Sequence, residues 1–342
     1  MTNIRTILQR TARDLNISGS PSPRLDAELL LMHALKIDRL QLCTHPEREL
    51  TEEEAAAFVK RVERRSLGEP VAYIIGEKEF WSLRFEVDRE VLIPRPETEC
   101  LVEELLRFYR PPGEGLRILD IGTGSGAIGV VLARELPAAR VVATDISAAA
   151  LPLARRNALA HGVADRMDFF QGDLLTAVSG NFDIICSNPP YIPDVPYGLL
   201  PAGIRDFEPR GALIAGPDGL DFHRRIIREG VHRLKAGGRI FLEIGEGQRD
   251  RVEALFRKEG GYRDIDCRKD YGGTDRVASA LKKETRYNGD PSARWIFFGP
   301  APPRCAAGAG CPEKSPMRAY GITISPLREA LKTIGADGSG CM

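Results

Sequence analysis

Ile118-Leu119-Asp120-Ile121-Gly122-Thr123-Gly124-Ser125-Gly126-Ala127 is an apolar strand that runs into a glycine-rich turn and then into a helix. Glycines at a strand-to-helix turn let the backbone bend sharply and let a ligand lie against it. Downstream, Arg140 to Asp145 has the composition of a second strand. It ends in an acid about twenty residues past the turn, where a carboxylate can accept both hydroxyls of a ribose. A strand, a glycine turn, a helix and a second strand ending in an acid form the opening unit of a doubly wound α/β sheet.

Working outward, the alternation continues. Strands are expected at Met167–Gln171, Phe182–Ser187 and Gly238–Ile244, and around Ile265 and Val277. Helices are expected over Gly126–Leu136, from Ser147 to Gly162, over Leu220–Leu234 and over Val252–Glu259. The sum is a mostly parallel, seven-stranded sheet with helices on both faces. Upstream, residues 1–70 show helical periodicity only. Ile4, Ile7 and Leu8 open one helix, and Ser20-Pro21-Ser22-Pro23 starts a second. Thr51 with Glu54 three residues on makes a capping box for another. Val71–Gly76 and Leu83–Val87 suggest a β-hairpin, so residues 71–93 form a hairpin linker. Pro96 and the acids Glu97 and Glu99 suit a helix start, leading to a helix from Thr98 to Tyr109. Residues 94–283 hold the sheet domain. Residues 284–342 are rich in Pro, Gly and Cys, with helical periodicity only over Pro326–Ile334, and suggest a poorly ordered tail.

Composition narrows the function classes. The 342 residues are 43% hydrophobic and 28% charged, enough for a substantial core. Basic and acidic side chains number 48 each, a balance that argues against a protein built to coat a polyanion. The N-terminus lacks the apolar stretch of a secretory leader, and no run is long enough to span a bilayer. Seven scattered cysteines without a Cys-x-x-Cys pair suit reduced thiols and a cytoplasmic location. Cys305 and Cys311 lack a nearby histidine and make a poor metal site. His33 and His45 have no partners at metal spacing.

The chemistry is carried by Asn188-Pro189-Pro190-Tyr191, immediately after the strand Phe182–Ser187. Two consecutive prolines stiffen the chain and remove two backbone donors. Carbonyls and the Asn188 side chain are left as acceptors beside the aromatic face of Tyr191. That set suits a planar NH2 on an sp² carbon, either an amide or an exocyclic base amine. Asn188 Oδ1 and the Pro189 carbonyl are the candidate acceptors, and Tyr191 would pack on the amide plane. Gly122-x-Gly124-x-x-Ala127 also satisfies the dinucleotide pattern. Asp120 just before the turn would repel pyrophosphate but attract the ammonium of a methionyl group, which favours S-adenosylmethionine. Asp173, after the third strand, is either an acceptor for the adenine amine or a solvated turn residue. Gly122, Asp145, Asp173 and Asn188 each fall just past a strand, so they converge on one crevice.

Together, Asp120–Gly126 and Asn188–Tyr191 resemble the amino-group branch of the S-adenosylmethionine-dependent methyltransferases, which includes DNA adenine-N6 and protein glutamine-N5 enzymes. Four further segments resemble the peptide chain release factor glutamine methyltransferases, the HemK/PrmC family. They are Leu92–Glu99, Asp206–Arg210, Gly216–Asp221 and Lys269–Val277. The likeness spans residues 1 to about 282. Pro217 and Leu174 depart from the family pattern, the latter where some members place an aromatic residue over the adenine. The resemblance implies a Rossmann-like methyltransferase sheet with a small N-terminal helical domain that helps dock a release factor. It also implies methylation of the glutamine of a Gly-Gly-Gln loop. The implied cofactor set is Gly122, Thr123, Gly124, Ser125, Gly126, Asp145, Asp173 and Asn188. The catalytic and substrate set is Asn188, Pro189, Pro190 and Tyr191, with no metal. Three rivals differ in chemistry. A DNA adenine methyltransferase would need a basic channel for a flipped base. A non-catalytic ribosome- or protein-binding module would have no use for Asn188 or Asp145. An NAD-dependent oxidoreductase leaves Asn-Pro-Pro-Tyr without a purpose.

Overall fold

The computed structural model describes residues 2–109, 115–194 and 199–284, all within one compact unit, Met1–Arg286. The expectations for the tail, including the Pro326–Ile334 helix and the Cys305 and Cys311 thiols, lie outside the described residues.

Five helices open the chain: α1 (Ile4–Ile17), α2 (Pro23–Leu35), α3 (Arg39–Thr44), α4 (Glu52–Ser66) and α5 (Val71–Ile75). Their boundaries follow local chemistry. Pro23 occupies the first turn of α2. Thr51 and Glu54 exchange the two bonds of a capping box at α4. Helix α3, not anticipated, carries a second capping box, between Asp38 and Gln41. Ile4, Leu30, Leu31, Leu42, Leu50, Phe58 and Ile74 bury a core among these helices.

The hairpin differs from the expectation. Val71–Ile75 is a helical turn, ended by Gly76 at φ 81°, whose N–H reaches the Ala72 carbonyl. The strands are β1 (Glu77–Phe80) and β2 (Leu83–Glu86). A short apolar run has no period that separates strand from helix, and here Pro70 before it and Gly76 after it favour the turn. Trp81 and Ser82, at φ 55° and 58°, make the two-residue loop, in the left-handed region that matches hairpin twist. Its geometry is held from outside: Glu99 accepts from the Trp81 N–H at 2.7 Å and Glu135 from the indole at 2.9 Å. Phe80 and Phe85 sink into the core of the sheet unit.

After α6 (Glu99–Tyr109) the strands alternate with helices: β3 (Arg117–Ile121), α7 (Ala127–Glu135), β4 (Arg140–Asp145), α8 (Ala150–Ala160), β5 (Met167–Gln171), β6 (Phe182–Ser187) and α9 (Ala202–Arg205). The remaining elements are α10 (Asp221–Arg233), β7 (Leu234–Glu243), α11 (Arg249–Glu259), β8 (Tyr262–Lys269) and β9 (Asp275–Lys282). The seven strands order as β5-β4-β3-β6-β7-β9-β8. Neighbours from β5 to β7 pair in parallel, while β9 is antiparallel to both β7 and β8. The last strand made thus fills an interior place. Strand order reverses between β3 and β6, which puts the ligand crevice beyond their carboxyl ends. One face of the sheet packs against α6 and α7 through Leu101, Leu105, Val130 and Val131, the other against α10 and α11 through Ile226, Ile227, Val252 and Phe256. Cys100, Cys186 and Cys267 are free and buried, and Cys43 is free and exposed. Among the described residues no helix is long and apolar enough to cross a membrane, and no cluster of side chains could hold a metal ion.

Candidate active site

A cavity of about 370 Å³ opens at the strand reversal. Its wall includes Gly122, Thr123, Gly124, Ser125, Asp145, Asp173, Asn188, Pro189 and Pro190, gathered from the ends of β3, β4, β5 and β6. Of the expected residues, Gly126 and Tyr191 are not on this wall.

The glycine turn is shaped from below. Gly122, Gly124 and Gly126 sit at φ 69°, 53° and 82°, a region that L side chains rarely adopt. Gly126 packs on α8, where an added Cβ would lie 3.2 Å from the Ala154 Cβ and 3.3 Å from its backbone. Gly126→Val should therefore destabilise the protein by about 2 kcal/mol or more, from left-handed strain plus overpacking. A denaturant midpoint equal to that of the unsubstituted protein would contradict this.

Asp120 does not reach the cavity. Its side chain is fully buried beneath the turn, where Oδ2 accepts from the Thr123 hydroxyl at 2.7 Å and the Gly129 N–H at 3.1 Å. It thereby satisfies one of the orphan donors in the first turn of α7. Oδ1 is buried without a partner among the described residues. Burial pushes this carboxyl up to about 6. Asp120 is a brace for the loop, and its expected direct meeting with an ammonium is not what the geometry gives, because the strand's alternation turns it inward.

Asp145 faces the cavity. Its two oxygens accept the Gly124 N–H at 2.8 Å and the Ser147 N–H at 2.9 Å. A carboxylate has about four acceptor sites, so capacity remains for a ribose hydroxyl. Burial raises its pKa against those backbone bonds. Asp173 is half-exposed and pairs with Arg225 at 2.7 Å. Ile146, Leu174 and Phe222 add apolar wall nearby, and Leu174 holds a left-handed φ of 54°. Phe222, on α10, is an aromatic wall residue that the sequence pattern did not single out.

The Asn-Pro-Pro-Tyr corner is tied down on three sides. Asn188 Nδ2 donates to Thr98 Oγ1 at 3.0 Å. The Tyr191 carbonyl accepts from Gln248 Nε2 at 2.9 Å, and the same nitrogen reaches the Gly219 carbonyl at 3.2 Å. Ile192 bridges to the segment after Glu208 through bonds with Leu213 and Ala215. The Tyr191 ring turns away from the cavity, its hydroxyl donating to Glu243 Oε1 at 3.3 Å. Packing of Tyr191 on a bound amide is thus not carried by its position.

Arg95, which lines the wall, forms an ion pair at 2.6 Å with the buried carboxylate of Glu208. Both lie in segments that the motif comparison quoted, without a role. Thr98, Glu243 and Gln248 were missed. Thr98 stands inside the quoted segment Leu92–Glu99 but without a role, and Glu243 left a trace only as a lone charge inside the apolar run Ile240–Ile244.

Residues 6–76 match the PrmC N-terminal domain family, and residues 97–196 match the methyltransferase small domain family. The chain is 42% identical over 286 residues to a release factor glutamine methyltransferase of Rhodopirellula baltica, covering 82% of this chain and 96% of the relative. It is 44% identical over 282 residues to one of Moorella thermoacetica, covering 82% of this chain and 99% of that protein. Among solved structures it is 33% identical to a release factor-specific protein-(glutamine-N5) methyltransferase of Alicyclobacillus acidocaldarius. That match covers 58% of this chain and all (100%) of the other, at a TM-score of 0.36.

Proposed function

This chain belongs to the family of release factor glutamine methyltransferases, and from that premise we propose that it methylates the side-chain amide nitrogen of a release-factor glutamine, in a Gly-Gly-Gln loop, using S-adenosylmethionine. The observation that supports it best is the sharing of one cavity by the glycine turn, Asp145 and the acceptor corner at Asn188. The residues present suit the cofactor. Gly124 has open space where a Cβ would stand, Asp145 keeps acceptor capacity for a ribose, and Ile146, Leu174 and Phe222 offer an apolar wall for a base.

S-adenosylmethionine supplies, when bound, an electrophilic methyl carbon on a sulfonium. The chain's own residues have two tasks. An amide nitrogen is a weak nucleophile, because its lone pair is delocalised into the carbonyl. Asn188 and the Pro189 carbonyl hold it in place, which is a proximity effect. They also accept hydrogen bonds from the NH2 as positive charge grows there, a preorganised electrostatic effect. The fixed prolines make these acceptors stiff, so little reorganisation is needed. Gly122, Thr123, Gly124, Ser125, Asp145 and Asp173 would hold the cofactor, with Gly126 setting the loop's shape.

Balanced formal charge supports a protein substrate over nucleic acid, and the helices of residues 1–70, α1–α4, are the surface proposed to dock it, with 71–93 as the linker and 94–283 as the methyltransferase domain. Mass spectrometry of a co-expressed release factor tests the function. A methylated Gln in Gly-Gly-Gln is the expected result, and an unmodified one alongside methylated DNA would overturn it.

A further inference from the structure

Glu243 ends β7 beneath the Asn188 corner, with its side chain buried. One oxygen, Oε1, accepts from the Tyr191 hydroxyl, and the other has no partner among the described residues. The Thr98 hydroxyl also stands within reach of this carboxylate and holds its pKa down against burial. Thr98 Oγ1 in turn accepts from Asn188 Nδ2. A threonine hydroxyl has a single proton. Spent on Glu243, it leaves Oγ1 only lone pairs to offer Asn188. The amide of Asn188 must then turn its NH2 toward Thr98, which leaves Oδ1 as its acceptor for the cavity.

We propose that Glu243 is a positioning residue: through Thr98 it fixes the hydrogen-bond polarity of Asn188, so that the corner offers an acceptor, not a donor, to the incoming amide. The inference rests on the function proposed above. Without Glu243 the Thr98 hydroxyl is free to donate to Asn188 Oδ1, and the Asn188 amide reverses. Its NH2 would then face the substrate's NH2, donor against donor.

Burial pushes the Glu243 carboxyl up to about 7, against the nearby Thr98 hydroxyl, the charge of Arg276 and the bond from Tyr191. The titratable and charged groups that face it come from four elements. Glu97 sits beside Thr98, Tyr191 follows β6, and Arg276 of β9 is paired with Asp270 at 3.1 Å. His223 of α10 meets the Glu243 carbonyl at 2.8 Å, and burial holds it down to about 4, so it is neutral near pH 7. Burial raises the Tyr191 hydroxyl well above its usual range. Glu243 alone among His223, Tyr191 and Arg276 changes charge near neutrality. Ionised, it can only accept. Once protonated, it can donate to Thr98 and undo the polarity. Turnover should therefore fall as pH drops through about 7.

The test measures methyl transfer to a release factor by the full chain as a function of pH. Glu243→Gln keeps an acceptor but cannot titrate, so the acid limb should vanish. Thr98→Val and Glu243→Leu should lower kcat by roughly tenfold to a hundredfold, the size seen when a residue that orients a functional group is lost. KM and cofactor Kd should stay within about threefold, a small change on the same scale. Thr98→Ser should recover most of the loss. An acid limb that persists in Glu243→Gln, or a Thr98→Val variant with full kcat, overturns the proposal. Should Glu243→Leu fail to fold, those two variants decide. Failure of the unsubstituted protein to methylate the release factor would instead sink the proposed function.

Discussion

Asn188→Ala should lower turnover on a release factor by roughly a hundredfold or more, the size of losing one preorganised polar group. The fold should survive. In the free protein the side chain is half-buried and the substitution removes one hydrogen bond, to Thr98, worth about 1 kcal/mol. In the transition state it removes an acceptor facing growing positive charge, and a hundredfold corresponds to about 2.7 kcal/mol. The difference between those two figures separates a catalytic from a structural role. A thermal midpoint lowered by no more than a few degrees, with a collapsed kcat, is the expected pair of measurements. Near-normal methylation by the variant would remove Asn188 from the reaction.

Asp145→Ala should weaken cofactor binding before it touches chemistry. Hydrogen bonds to a charged group contribute about 1.5–3 kcal/mol each, so even one lost ribose contact corresponds to a Kd raised by roughly tenfold to a hundredfold or more. A further loss should come from the loop itself. The carboxylate also holds the Gly124 and Ser147 amides, and without it the turn keeps its glycines but loses its tether to β4. Calorimetric titration with the cofactor reads both losses. A Kd equal to that of the unsubstituted protein would refute the ribose assignment.

The sheet was legible because its signals are local. A strand that ends in glycines, and a second that ends in an acid, need no partner to be recognised. The hairpin was half legible. Pattern alone placed a turn between Gly76 and Leu83, but assigned Val71–Ile75 to a strand. Tyr73 and Ile74 are buried in either conformation, so burial does not discriminate. The site divides in the same way. Gly122, Gly124, Asp145, Asp173 and Asn188 lie just past strand ends, and topology brings them together. Asp120 was misplaced because sequence distance to the loop says nothing of which way a strand residue faces. Thr98 stands 90 residues from Asn188, and Glu243 stands 52 from Tyr191. No period or motif connects positions so far apart, and only the folded chain makes them neighbours.

The place of β9 has a consequence for biosynthesis. It fills a slot between β7 and β8, both of which leave the ribosome earlier. Until Val277 and its neighbours emerge, the nascent sheet carries two unsatisfied strand edges, the kind that template pairing with other chains. A premature stop between β8 and β9 would yield not a slightly shorter protein but one with a gap through its sheet, a candidate for aggregation and for degradation.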